Sequence, residues 1–258
     1  VEMPANFDWK SLYGQYLQGR EWEKQRAWAD AGKCYQNCLA ADPNYLPALT
    51  AMANLMTRSA RYQEALTFAT RALSIDTYDA AANFIYGVVN AKLKTYTDAI
   101  DGFSMASAAL EYRAASYVEM SKLFLLQNQP GRAKEYATKA AVTNPMQVPA
   151  FELLAVIARL QADPMAAVKA LEQLEALDPL DHLVRFEKYL AHPSDENATA
   201  FTGMIRTELT HEAYLELAAW YLNLGLNTEV EKLLSLGPDQ PEINYWRAWL
   251  AGKSGNQT

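Results

Sequence analysis

The sequence predicts an all-α protein: an α-α superhelix, or solenoid, of about seven antiparallel helical hairpins with a 34-residue period. Three observations lead there. Ala and Leu number 43 and 32 of the 258 residues, while Gly and Pro number only 11 each. Ala and Leu favour helix where Gly and Pro break it. Five alanines, Ala31, Ala65, Ala99, Ala133 and Ala167, are spaced by 34 residues. No segment shows the strict apolar–polar alternation of a half-buried strand.

Further columns keep the same step. Four residues after each alanine stand Tyr35, Ala69, Phe103, Ala137 and Leu171, and seven after stand Cys38, Ala72, Ala106, Ala140 and Leu174. Twelve before lie the small residues Ala53, Gly87, Ser121 and Ala155, preceded by Met52, Tyr86, Met120 and Leu154. Paired antiparallel helices account for this. A small residue on each helix lets two backbones cross closely, and the larger ones continue the face that meets the next hairpin.

The units then follow in order as one solenoid over 1–258. The first, 8–43, opens with a long helix over 8–25 carrying Trp9, Tyr13, Tyr16 and Trp22. Units 44–77, 78–111, 112–145 and 146–179 follow. Asp42-Pro43-Asn44, Asn144-Pro145 and Asp178-Pro179 end hairpins, because Pro cannot continue a helix. Asn128 to Gly131 and Ala162 to Pro164 mark turns inside hairpins. Past Pro179 the register weakens: the alanine column falls on Phe201, and unit 180–209 is degenerate, with a displaced helix starting near Asp195. Unit 210–238 pairs a helix over 211–224 with one over 227–236. A final helix over 241–251 carries Tyr245, Trp246 and Trp249, so either one face packs back on the preceding unit, the favoured expectation, or the natural chain continues past Thr258. Each such unit buries its face on its neighbours.

These columns resemble the tetratricopeptide repeat, with its 34-residue period and its large-small pair followed by Ala, an aromatic, Ala and Pro. The resemblance covers about residues 9–180 well. It departs at the turn proline, replaced by Thr77 and Glu111, and at the first-helix Trp column, filled by Leu49, Asn83, Tyr117 and Phe151. In such arrays the first helices line an inner groove. The resemblance therefore implies a protein or peptide ligand contacting Asn54 in unit two, Phe84, Val88 and Lys92 in unit three, Lys122 in unit four, and Glu152 and Arg159 in unit five. Thr50, Thr57, Ala91, Val118, Leu125 and Val156 share those positions. Apolar anchors at Phe84 and Val88 would supply affinity and the charges would fix register. The clamp with which some family members hold chaperone C-termini is broken, since Thr50, Ile85, Ala115 and Glu119 fill its places beside Asn54.

Other chemistry finds little support. Lys and Arg number 23 against 30 Asp and Glu, a net charge of −7, which disfavours nucleic acid and with it the related RNA-binding repeats. No apolar run reaches the length of a membrane helix. His211-Glu212 begins like a zinc-peptidase helix, but the second ligand's place is Leu215. Cys34 and Cys38 lie one helical turn apart, too far for an unstrained disulfide, and Cys38 fills a core column. No phosphate loop or nucleophile elbow occurs. No metal, cofactor or catalytic residue is expected. Asn197-Ala198-Thr199 is a glycosylation sequon of a kind that chance produces often.

The expected function is thus a non-enzymatic interaction scaffold for a peptide or helix segment, or for other domains of the same full-length chain. The alternative is a helical accessory domain of a larger bacterial carbohydrate-processing protein, with sugar stacking on Trp9, Tyr13 and Tyr16. Their spacing equally fits a core stripe, the favoured reading. The chain opens at Val1 without an initiator Met, as a processed or excised fragment would, and the compartment, cytoplasm or periplasm, stays open.

Overall fold

Short, chemically specified turns set the geometry of the chain. The computed structural model describes residues 7–255, the side chains of residues 254 and 255 excepted, so both ends of the expected 1–258 array lie outside the described residues. Among them are fifteen helices and no strand. Six hairpins share one inner turn. In each, a left-handed residue follows the first helix, and the next residue donates its N–H to a carbonyl five residues back. The donors are Ala27, Arg61, Thr95, Gln129, Asp163 and Leu226, at 2.8–3.0 Å. The left-handed residues are Arg26, Ala60, Lys94, Asn128 and Ala162, with φ of 54–64°, and Gly225 at 76°. This is the Schellman ending, which satisfies carbonyls a helix otherwise leaves open. The first five recur every 34 residues.

Between hairpins a second device repeats. Asp42, Asp76, Asn144 and Asp178 are extended, and the side-chain Oδ1 of each accepts the N–H two residues on at 2.9–3.0 Å. The constant residue here is the Asp or Asn, and the proline after it is optional. At the equivalent position 110 stands Leu, which cannot make that bond. The chain there corrects the expected unit boundary: Leu110 and Glu111 already belong to the next helix, and Arg113 donates to the carbonyls of Ser107 and Ala108.

The helices group into two compact units, one ending at Ser116 and one starting at Tyr117. The first unit holds α1 (Leu12–Lys24), α2 (Trp28–Ala41), α3 (Leu46–Arg58), α4 (Tyr62–Ile75), α5 (Ala80–Leu93), α6 (Tyr96–Ala106) and the start of α7 (Leu110–Leu126). The first helix is shorter than the expected 8–25. Ser11 caps it, accepting the Gly14 N–H, and Asp8 to Ser11 form a turn. Ala31, Tyr35, Cys38, Ala53, Ala65, Ala69 and Val89 form the core with no or almost no exposure. Both cysteines are buried free thiols, held up in pKa chiefly by that burial.

Column chemistry is complementary in two hairpins of this unit. Where the residue four after the column alanine is aromatic, the facing small residue is glycine: Gly19 lies under Tyr35 and Gly87 under Phe103. Where it is Ala69, the residue in the glycine's register is Ala53. Asn83, in the tryptophan column, is buried and donates to the carbonyls of Thr77 and Asp79 at 2.8 and 2.9 Å, tying down the turn that lacks a proline.

The second unit holds the rest of α7, then α8 (Pro130–Thr143), α9 (Val148–Leu160), α10 (Pro164–Leu177), α11 (His182–Ala191), α12 (Asp195–Thr202), α13 (Thr210–Asn223), α14 (Asn227–Leu236) and α15 (Pro241–Gly255). Ser121 Oγ donates to the Ala133 carbonyl across the α7–α8 crossing at 2.8 Å. The degenerate hairpin α11–α12 replaces the column methyl by Phe201, fully buried against Phe186 at 5.3 Å and Tyr214 at 5.6 Å between ring centroids. On α15, Ile243 and Leu250 are buried against the preceding hairpin while Tyr245 and Trp249 stay exposed. Arg247 donates to the Leu234 and Gly237 carbonyls, so the helix packs on one face, as expected.

Candidate peptide-binding face

In the first unit the predicted ligand positions lie on α3 and α5. Asn54 is half-buried, and among the described residues its side chain has no hydrogen-bond partner. Its register neighbours Thr50 and Thr57 are satisfied inside their own helix, donating to the Leu46 and Ala53 carbonyls at 3.1 and 2.7 Å. Phe84 and Val88, one turn apart on α5, are also half-buried. Phe84 is propped at 5.4 Å from each of the Phe103 and Tyr112 rings. Lys92 is exposed at the end of the same helix, with no carboxylate in ion-pair range among the described residues.

The structure adds three residues that the register did not single out for a peptide. Arg20 donates to the Tyr16 hydroxyl at 3.3 Å. Tyr16 packs on Tyr35 and Tyr45, each 6.0 Å away. The Tyr112 hydroxyl is pushed up in pKa mainly by burial, then by Glu111 and Asp79, while Arg20 pulls it back.

In the second unit the three predicted charges are engaged with the protein itself. Lys122 reaches back to Glu119 on its own helix at 2.7 Å. Glu152 accepts the Trp220 indole N–H at 3.2 Å. Burial raises its pKa to about 7, with Asp181 adding repulsion and Lys122 opposing it. Arg159 is the centre of a buried network. Its Nε lies 2.6 Å from Glu187 and its Nη1 3.1 Å from Glu229, and the Tyr221 hydroxyl donates to Glu187 at 2.6 Å. Its side chain is only 17% exposed. Burial disfavours the charge, but the bonds to Glu187 and the negative charge of Glu187 and Glu229 together outweigh it and raise the arginine's pKa. Arg159 thus ties α9 to α11 and α14, and each of its three nitrogens is engaged by a carboxylate of the protein. Glu187 and Tyr221 stand 34 residues apart, a signal in the sequence that the fading alanine column hid.

A separate cleft of about 700 Å³ lies along α1, lined by Trp9, Leu17, Gln18, Trp22 and Gln25. Trp9 and Tyr13 are 43% and 56% exposed, so the core stripe expected there does not form. Trp9 precedes the helix, and the four-residue spacing does not put it on a helical face. Among the described residues no group of three or more His, Cys, Asp or Glu is placed to hold a metal, and no helix is long and apolar enough to cross a membrane.

Solved structures share this architecture. A tetratricopeptide repeat protein from Parabacteroides merdae superposes with a TM-score of 0.66 at 14% identity, over 93% of this chain and 98% of that one. The fold is that of the tetratricopeptide repeat. PilF of Pseudomonas aeruginosa matches with a TM-score of 0.67 at 16% identity, over 87% of this chain and 96% of its own. YrrB, described as a tetratricopeptide repeat protein with an unusual peptide-binding site, matches with a TM-score of 0.55 at 15% identity, over 70% of this chain and 93% of its own. No protein-family model and no curated protein matches the sequence.

Proposed function

We propose that this tetratricopeptide-repeat chain is a non-enzymatic interaction scaffold that binds a peptide or helical segment on the first-helix face of its first unit. One observation carries the reading. Phe84, Val88 and Asn54 sit half-open on the adjoining helices α5 and α3, two apolar anchors beside an amide with no partner among the described residues. Such a face gains affinity from its apolar anchors and orientation from its few polar groups. Lys92 extends it at one end. Lys122, Glu152 and Arg159, held by intramolecular partners, support the second unit and contribute little to the ligand. The peptide-binding description of the YrrB structure points the same way. The test is capture of a partner by the wild-type chain and by Asn54→Ala/Val88→Ser. Retention of the same partner, with helix content unchanged, would exclude this face.

The Trp9–Trp22 cleft favours a second reading, a carbohydrate surface in which indole faces stack on sugar rings beside Gln18 and Gln25. Affinity electrophoresis in polysaccharide gels reads it out. Retardation lost in Trp9→Ala and Trp22→Ala supports it, and mobility unaffected by polysaccharide excludes it.

A further inference from the structure

The inner turns of the first unit carry cations where the second unit carries none. Lys24, Arg58 and Lys92 close α1, α3 and α5 at 34-residue steps, and Arg26 and Lys94 hold left-handed turn positions two residues further on. The matching places in the second unit are Leu126 and Leu160, then Asn128 and Ala162. A helix C-terminus attracts one cation through its open carbonyls. The open carbonyls do not account for a cation at the left-handed positions, where Gly or Asn is the favoured residue.

Three of these side chains, Lys24, Arg26 and Arg58, frame a cleft. Arg20, Lys24, Arg26 and Arg58 line a space of about 300 Å³ with Trp28, and Glu23 is its one carboxylate. Arg20 pairs with Glu23 at 3.5 Å and Lys24 with Glu21 at 3.1 Å. Among the described residues neither Arg26 nor Arg58 has an ion-pair partner. Arg58 instead lies over the Trp28 ring, 5.3 Å from its centroid, and Trp28 is 38% exposed. Two guanidinium groups without carboxylates, beside an open indole, form a surface for planar anions attached to an apolar group.

We propose that this turn edge is a second docking site, separate from the first-helix face, and that its occupant is an acidic protein segment. Its carboxylates would meet Arg26 and Arg58, and one apolar side chain would lie on Trp28. The cleft admits a few side chains, and the net charge of −7 repels a long polyanion beyond it. Both points favour a short carboxylate-rich peptide over nucleic acid.

The probe is a fluorescein-labelled peptide of glutamates interrupted by leucine, titrated against the full chain by anisotropy. Binding should weaken as salt rises and fall by about tenfold or more in Arg26→Glu/Arg58→Glu. A Lys139→Glu/Lys232→Glu control in the second unit should bind as the wild type does. Arg26→Gly/Arg58→Gln, with glycine suited to the left-handed backbone, guards against a folding defect and should show the same direction of change. Equal binding by these variants, or an equal loss in the control, overturns the proposal. So does tighter binding, through the same arginines, of a single-stranded oligonucleotide of equal charge. Asn54→Ala/Val88→Ser leaves this site intact, so failure here and failure of the first-helix face are read separately.

Discussion

Gly87 faces Phe103 so closely that a methyl group on its α-carbon would stand 2.8 Å from the ring. The same pairing of glycine with a ring joins Gly19 to Tyr35, whereas the register of that pair holds Ala53 and Ala69 in the hairpin between, both fully buried. The volume at each helix crossing is therefore set by a pair of residues and not by either alone.

A double-mutant cycle tests this pairing. Gly87→Ala should cost about 1–3 kcal/mol by overpacking. In a Phe103→Ala background the same substitution should cost markedly less, because the pair then matches Ala53 and Ala69. Urea midpoints of the four proteins give the coupling, and additive effects would contradict it.

Backbone conformation makes a second prediction. Ala60 and Ala162 adopt left-handed φ values of 57° and 54°, where a β-carbon crowds the following carbonyl. Ala60→Gly and Ala162→Gly should each raise stability by up to about 1 kcal/mol, against the usual loss when glycine replaces alanine. Thermal unfolding measures it.

The buried network makes a third. Arg159→Met leaves Glu187 and Glu229 without their shared cation and should cost about 3–5 kcal/mol. Tyr221→Phe removes only the hydroxyl donated to Glu187 and should cost about 1–3 kcal/mol. Chemical denaturation orders the two. A neutral Arg159→Met would instead mark the arginine as free for ligands.

Glu152 makes the stability depend on pH. Its carboxyl has an ordinary value of 4.5, and folding raises it to about 7. Between those values the folded state holds more protons than the unfolded chain, so stability falls as pH rises through that window and stays lower above it. Glu152→Gln keeps an acceptor for Trp220 and carries no charge. It should add about 1–3 kcal/mol near pH 8 and almost nothing near pH 4. Denaturant midpoints across pH decide.

The hairpin architecture was legible because buried methyl groups repeat at a fixed step. The helix expected over 227–236 is α14, Asn227–Leu236. The turns between hairpins were only half legible. Proline draws the eye, but the bond is made by the residue before it, and Asp76 makes it with Thr77 following. Phe84 and Val88 fell on α5 as their register requires. The partners of Arg159 were hidden because Glu187 and Glu229 lie on later helices, and local periodicity does not show which charges will meet once helices stack. Trp9 and Tyr13 misled for the opposite reason, since their spacing suits a helix that begins only at Leu12.

The Schellman turns have a consequence for how such a chain can change in length. With each second helix starting within a few residues of the first one's end, there is no slack to absorb an extra residue. One insertion within a helix would rotate the residues after it by about 100° and swing its alanine stripe away from the buried face. Among residues 26–162 the turn positions keep a strict 34-residue step, so in that stretch the hairpin, and not the residue, is the increment of length.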